Sequence, residues 1–183
     1  MFSGEDVPVA ESADMEVRSV EAIIRALNEA NVRYLVAGGV AVVAHGHVRY
    51  TADIDLILDL AEDNVKRALT ALAGLEYRPL VPVAMEQFAD PAVRSGWVQE
   101  KGMMVFSLVS PQHQATAVDI FVEAPLEFAR AYGEAVRFEV APGLPATVVS
   151  LADLLALKAQ AARAKDMLDI EYLKRAQERR KNG

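Results

Sequence analysis

An Asp-Ile-Asp triplet, Asp53-Ile54-Asp55, interrupts an apolar run that continues through Leu56-Ile57-Leu58. Any fold that buries this run as a strand has to accommodate two carboxylates. Strand side chains alternate between faces, so Asp53 and Asp55 point the same way, with Cα atoms roughly 7 Å apart. Two unpaired carboxylates on one face repel each other, and each resists leaving water. A divalent cation between them removes both costs. The triplet therefore predicts a metal site.

The segments around it indicate what the metal serves. Upstream, Arg33-Tyr34-Leu35-Val36-Ala37 reads as a strand and ends directly in Gly38-Gly39, after which Val40-Ala41-Val42-Val43-Ala44-His45 reads as a short helix. Glycines let backbone approach a ligand closely, and a helix start offers free N–H groups to an anion. A phosphate-holding turn followed by a carboxylate pair on the next strand suits metal-assisted phosphoryl chemistry. A third acid, Asp119, sits inside the strand-like run Ala117-Val118-Asp119-Ile120-Phe121-Val122. Three embedded acids suit a hard cation with oxygen ligands, Mg²⁺ or Mn²⁺, better than zinc. By alternation Arg49 and Thr51 share the aspartate face. Arg49 then contacts phosphate or serves as a structural partner for the aspartates.

Taken in order, Gly38-Gly39, the segment Arg49-Tyr50-Thr51-Ala52-Asp53-Ile54-Asp55 and the later lone Asp119 resemble the DNA polymerase beta-like nucleotidyltransferase superfamily. The resemblance is strongest to its small bacterial branch, the minimal and AbiEii-type nucleotidyltransferases. It extends over residues 33–173 and takes in Ser150-Leu151-Ala152-Asp153 and Arg163-Ala164-Lys165-Asp166-Met167-Leu168-Asp169. Where the superfamily's phosphate turn is commonly Gly-Ser, the second residue here is Gly39, as in the AbiEii-like branch, leaving only backbone N–H groups to serve. The resemblance implies an enzyme that moves a nucleoside monophosphate from an NTP to an acceptor and releases pyrophosphate by a two-metal mechanism. Asp53 and Asp55 would hold both ions, and Asp119 the ion that activates the acceptor hydroxyl. Gly38, Gly39, Arg49, Thr51, Lys158 and Lys165 would bind the nucleotide. Helical spacing places Lys158 on an apolar stripe, where a lysine needs an anion or an outward-snorkelling stem. The resemblance makes that anion the triphosphate; the alternative is a salt bridge to Asp166, Asp169 or a sheet acid. Lys165 falls on the same face if the helix runs unbroken past Ala164.

The formal charge of −7 narrows the acceptor. Polynucleotide binders draw most of their affinity from a basic stripe, and the only basic cluster here is Lys174-Arg175 with Arg179-Arg180-Lys181. A small molecule or a protein is the expected acceptor, with a local tRNA contact through that tail as the lesser option. A catalytically weak nucleotide-binding or regulatory protein of the same fold, such as a toxin–antitoxin component, is the alternative function. Zero cysteines exclude a disulfide framework or a thiolate zinc site, and no apolar run reaches a membrane span. A cytoplasmic location is expected.

The 183 residues fit one domain. Residues 1–14 read as a mobile arm and 15–183 as a single nucleotidyltransferase-like domain. Helices are expected at 15–30, 61–73 and 126–132, and strands at 33–37, 52–58, 103–109, 115–122 and 135–140. Ala141-Pro142-Gly143 reads as a turn. Residues 79–102, with Trp97, read as an irregular segment lining the acceptor side of the cleft. Ser150 and Asp153 form a capping box that opens C-terminal helices. The result is an α/β (α+β) fold, a mixed sheet with helices mainly on one face. His45, His47 and His113 read as loop or helix-end residues, not metal ligands.

Overall fold

The computed structural model describes residues 9–181. The chain runs α1 (Val9–Glu29), β1 (Tyr34–Ala37), α2 (Gly38–Ala44), β2 (Asp53–Leu58), α3 (Glu62–Gly74) and β3 (Arg78–Pro79). A 3₁₀ turn (Met85–Ala89), α4 (Pro91–Lys101), β4 (Val105–Val109), β5 (Ala117–Phe121) and α5 (Phe128–Gly133) follow. The chain closes with β6 (Val136–Ala141), β7 (Leu144–Val148), α6 (Leu151–Ala161) and α7 (Ala164–Lys181). Helix α1 starts six residues ahead of the expected 15, so only residues 1–8 of the proposed arm lie outside the described residues.

The seven strands form one sheet in the order β3-β4-β5-β2-β1-β7-β6. It is mixed: β2 pairs antiparallel with β1 but parallel with β5, and β1 pairs parallel with β7. The expected hairpin from β4 to β5 is present as an antiparallel pair. Alternation then sets the two faces apart. Ile54, Leu56, Val118, Ile120, Phe106 and Leu108 are fully buried, whereas their neighbours Asp53, Asp55, Asp119, Phe121 and Val105 are only half-buried. The first face carries the core, to which α1 supplies Ile23, Ile24 and Leu27 and α3 supplies Val65, Leu69 and Leu72. The second face is left partly open, and it carries the acids.

Four elements differ from the sequence expectations: the two-residue β3, the 3₁₀ turn, α4 and β7. Residues 79–102 are not irregular: they hold the 3₁₀ turn and α4. Helix α4 begins at Asp90, whose side chain accepts from the Ala92 N–H, has Pro91 in its first turn, and ends on Gly102 at φ 61°. Those are ordinary start and stop signals. Its weak apolar periodicity is why pattern reading passes over it. The Trp97 ring lies 5.3 Å from Phe106 and 6.5 Å from Phe88, so α4 is drawn onto the core beside β4. Strand β7 was also missed; the turn at 141–143 in fact joins it to β6 as a hairpin. Between α6 and α7 the helix breaks at Ala162, at φ 50°, so Lys158 and Lys165 stand on different helices. No helix among the described residues is long and apolar enough to cross a membrane.

Candidate active site

The register of β2 against its neighbours builds the site. Asp55 lies opposite Asp119 on the parallel strand β5 and opposite Ala37 on the antiparallel strand β1. One strand position thus aligns the last residue before the glycines, the second acid of the triplet and the later lone acid. Gly38, Gly39, Asp53, Asp55 and Asp119 all line one cleft of about 650 Å³. Arg49 from the loop before β2, Lys158 from α6 and Lys165 from α7 line it too. Eight of the nine residues singled out in the sequence therefore face a common space.

The ninth, Thr51, does its work behind the cleft wall. Its hydroxyl donates to Asp53 Oδ1 at 2.9 Å, fixing that carboxylate's rotamer. It also explains Gly39, because a Cβ there would stand 2.2 Å from Thr51 Oγ1. Gly38 is constrained twice. Its φ of +59° favours glycine, and a Cβ would lie 1.7 Å from Asp55 Oδ2. Helix α2 starts at this turn with no side-chain cap on its first N–H groups. The glycines are thus required by the acids before any ligand is considered. Gly39→Ala is expected to break the Thr51–Asp53 bond and slow nucleotide transfer on the order of a hundredfold, the scale of a 1 Å misplacement. Helix content by circular dichroism should not change. Thr51→Gly alone removes the same bond without crowding the turn, so wild-type transfer in that variant would refute the account.

Burial raises the Asp55 carboxyl from 3.8 to about 6, and the charges of Asp53 and Asp119 push the same way. Lys158 and Lys165 pull it back only in part. Positive charge is therefore what the acid cluster lacks. The donors are all carboxylate oxygens, which fits a hard divalent ion, and Mg²⁺ and Mn²⁺ suit them equally. Among the described residues the acids do not already close into a three-ligand cage. That is compatible with Mg²⁺, which keeps waters and takes substrate phosphates alongside one or two carboxylates.

The cations are not free. Lys158 Nζ is buried, 3.0 Å from Asp166 Oδ1 and 2.7 Å from Asp169 Oδ2. Arg49 Nε and Nη2 lie 2.9 and 3.0 Å from the two oxygens of Asp169. Arg163 Nε donates to Asp166 at 2.7 Å. Burial alone would raise the Asp166 carboxyl, but hydrogen bonds from Arg163 and Lys158 outweigh it and hold it below the usual range. The carboxylate partners considered for Lys158 are thus in place, and Arg49 has one as well. Asp166, Asp169 and Arg163 were not among the expected site residues. The signal was available: a lysine on an apolar stripe demands acids, and Asp166 and Asp169 lie one turn apart on one helix face.

The remaining wall is apolar: Met104, Val105, Phe121 and Pro125 at the β4–β5 side, with Leu154 and Leu157 from α6. No residue of 79–102 lines this cleft; of that segment, Val98 lines the small adjoining pocket that shares Met104, Phe121 and Pro125 with it. The aromatic contacts of Phe88 and Trp97 hold that segment against the core instead. The histidines are engaged elsewhere. His45 Nε2 is 2.8 Å from the Val149 carbonyl, the His47 ring stacks 4.2 Å from Tyr172, and His113 Nδ1 is 3.0 Å from Ser19 Oγ.

Two solved structures are similar to the chain in fold. The solution structure of the antibiotic-resistance factor ANT(2'')-Ia is similar at a TM-score of 0.57 and 17% identity, covering 86% of this chain and 81% of that one. The crystal structure of ANT(2")-Ia in complex with adenylyl-2"-tobramycin gives 0.54 and 17%, covering 86% of each chain. At that identity the likeness establishes the fold. No curated protein sequence matches the chain. The sequence model of the family described as "Nucleotidyl transferase AbiEii toxin, Type IV TA system" matches residues 23–182, nearly the whole domain. The chain belongs to the AbiEii nucleotidyl transferase family and is a nucleotidyltransferase.

Proposed function

We propose that this enzyme transfers a nucleoside monophosphate from an NTP to the hydroxyl of a small molecule or protein, releasing pyrophosphate, with Mg²⁺ or Mn²⁺ held by Asp53, Asp55 and Asp119. The observation that carries the reading is the alignment of the Gly38 turn, Asp55 and Asp119 across three adjacent strands. A bound divalent ion supplies charge neutralisation and polarises the phosphoryl oxygens. Charge balance makes nucleotide binding depend on it. Arg49, Lys158, Arg163 and Lys165 face five carboxylates, Asp53, Asp55, Asp119, Asp166 and Asp169, so the protein alone presents a net negative site to a polyanion.

The strand order supports a division of the cleft. The glycine turn belongs to β1, the acid pair to β2, the third acid to β5, and beyond it lies β4. In-line displacement puts the incoming hydroxyl opposite the departing pyrophosphate. With pyrophosphate over the glycine turn, the hydroxyl arrives over β5, where Asp119 meets it, and the acceptor's body rests on Met104, Phe121 and Pro125. A polynucleotide acceptor receives less support: on α7, Arg175 is tied to Glu171, one turn away.

The test is pyrophosphate release from each NTP with Mg²⁺ or Mn²⁺, together with thermal shift. NTP with metal should raise the melting temperature, and NTP alone should not. Asp119→Asn should keep most nucleotide affinity yet lose transfer by on the order of a hundredfold or more. Equal loss of binding in Asp119→Asn and Asp53→Asn would refute this division of labour. Absence of pyrophosphate release with every NTP and both metals would refute the transfer itself.

A further inference from the structure

Arg49, Asp169, Lys158, Asp166 and Arg163 form one continuous chain of ion pairs beside the acid triad, and Asp169 is the member that joins the loop before β2 to α6. Its side chain is 3% exposed. Its Oδ2 is shared by Arg49 Nη2 at 3.0 Å, from the loop before β2, and Lys158 Nζ at 2.7 Å, from α6, while Oδ1 lies 2.9 Å from Arg49 Nε. Asp169 itself belongs to α7. Three separate pieces of chain are therefore pinned at one carboxylate.

The donors left over matter more than those used. A lysine ammonium has three N–H donors. Two of them go to Asp166 and Asp169, and Lys158 lines the cleft, near enough to Asp55 to act on its charge. Arg49 donates from Nη2 to Asp169 Oδ2 and from Nη1 to the Tyr50 carbonyl, while its Nε lies 2.9 Å from Asp169 Oδ1 without a hydrogen bond. A guanidinium has five N–H donors, so three stay uncommitted, the buried Nε–H among them. Arg49 also lines the cleft, and its Nη2 stands 3.2 Å from where a Cβ of Gly39 would be. Both cations thus sit beside the phosphate turn with their rotamers fixed and donors to spare.

We propose that Asp169 is a positioning residue for nucleotide binding: its single buried carboxylate orients Arg49 and Lys158 so that their remaining N–H donors converge on the triphosphate. The inference rests on the nucleotide-transfer reading of the cleft and adds a residue that touches no substrate. It makes the seating of α7 a condition for nucleotide affinity. Fixing an arginine by one hydrogen bond and a second close N···O contact before the ligand arrives removes side-chain ordering from the binding step. The two-point contact is available to arginine and not to lysine.

The experiment measures calorimetric dissociation constants for non-hydrolysable NTP analogues with Mg²⁺, alongside melting temperatures. Asp169→Asn keeps the shape and leaves Lys158 its contact with Asp166. Its dissociation constant should rise about tenfold or more, while the Asp53, Asp55 and Asp119 machinery stays intact. In Arg49→Ala, adding Asp169→Asn should weaken binding by less than about threefold further, because the two residues act as a unit. Effects that multiply would overturn the proposal, as would Asp169→Asn lowering the melting temperature with affinity unchanged. Arg49→Lys needs no rearrangement of the core and guards against misfolding of Asp169→Asn. It keeps the charge and loses the two-point contact, so it should bind as poorly as Arg49→Ala. Wild-type affinity in Arg49→Lys would show that charge alone suffices and sink the idea. If the wild type binds analogue but releases no pyrophosphate from any NTP, the transfer reading falls and the positioning role stands. If it binds no analogue, both fall.

Discussion

Asp55→Asn is expected to abolish metal-dependent nucleotide transfer while making the metal-free protein more stable at neutral pH. The loss of activity follows from register: Asp55 alone lies between the Gly38 turn and Asp119. The gain in stability follows from its carboxyl being raised from 3.8 to about 6 by burial and by its two acidic neighbours. The sign runs one way. With the folded value above the unfolded one, the folded state holds the proton more tightly, so no penalty exists below about pH 4. It grows as pH rises from about 4 to 6 and is complete above that, at roughly 3 kcal/mol. Metal-free wild type should therefore lose stability across that interval, and Asp55→Asn should not. Metal affinity should move oppositely, falling by about tenfold per pH unit below pH 6, because the ion competes with the proton. Urea unfolding at pH 5 and pH 8, with and without Mg²⁺, measures all of this. An Asp55→Asn protein that is less stable than wild type at pH 8 without metal would mean that the carboxylate is satisfied in a way its neighbours do not reveal.

This trade between stability and function is what made the acid pair legible from the sequence. Asp53, Asp55 and Asp119 violate the apolar pattern of their strands, and a violated pattern that survives in a folded domain marks a site. The mixed sheet was legible for a related reason: strand alternation and turn residues are local signals, and β1, β2, β4, β5 and β6 all carry them. Less was legible where the reason for a residue lies far away in the chain. Nothing near Thr51 announces that its hydroxyl fills the space a side chain at Gly39 would need, because that pairing exists only once β2 folds against the turn. The same holds for Arg49 and Asp169, separated by 120 residues and joined at 3.0 Å. Sequence reading left Arg49 divided between phosphate and a carboxylate. The structure supplies the carboxylate, Asp169, and leaves Arg49 with unused N–H donors at the cleft. Helix α4 failed for the opposite reason. Its Asp90-Pro91 start and Gly102 stop were local and readable, but a weak apolar stripe and a proline-rich approach outvoted them.

Lys158→Ala should cost more stability than any other single change in the cleft. The ammonium is 5% exposed and stands between Asp166 and Asp169, which are themselves 1% and 3% exposed. Removing it leaves two buried carboxylates to share Arg163 and Arg49, both attached from the periphery. Breaking a buried pair in this way costs about 3–5 kcal/mol, which for a chain of this length corresponds to a fall of roughly 10 °C in melting temperature. Much of that cost is uncompensated negative charge, and this sets its pH dependence. In the wild type the Asp166 carboxyl lies below its ordinary value, so its contribution is present above about pH 4 and is lost as pH falls further. In Lys158→Ala, Asp166 loses one of the two cations that hold its carboxyl down and takes up a proton more readily, so the deficit should narrow on acidification from pH 7 to pH 5. Lys158→Met with Asp169→Asn removes one charge of each sign and keeps the volume, and it should recover much of the stability without recovering nucleotide affinity. A Lys158→Ala protein as stable as wild type at pH 7 would show that the lysine is dispensable to the fold, and would place its whole purpose in the cleft.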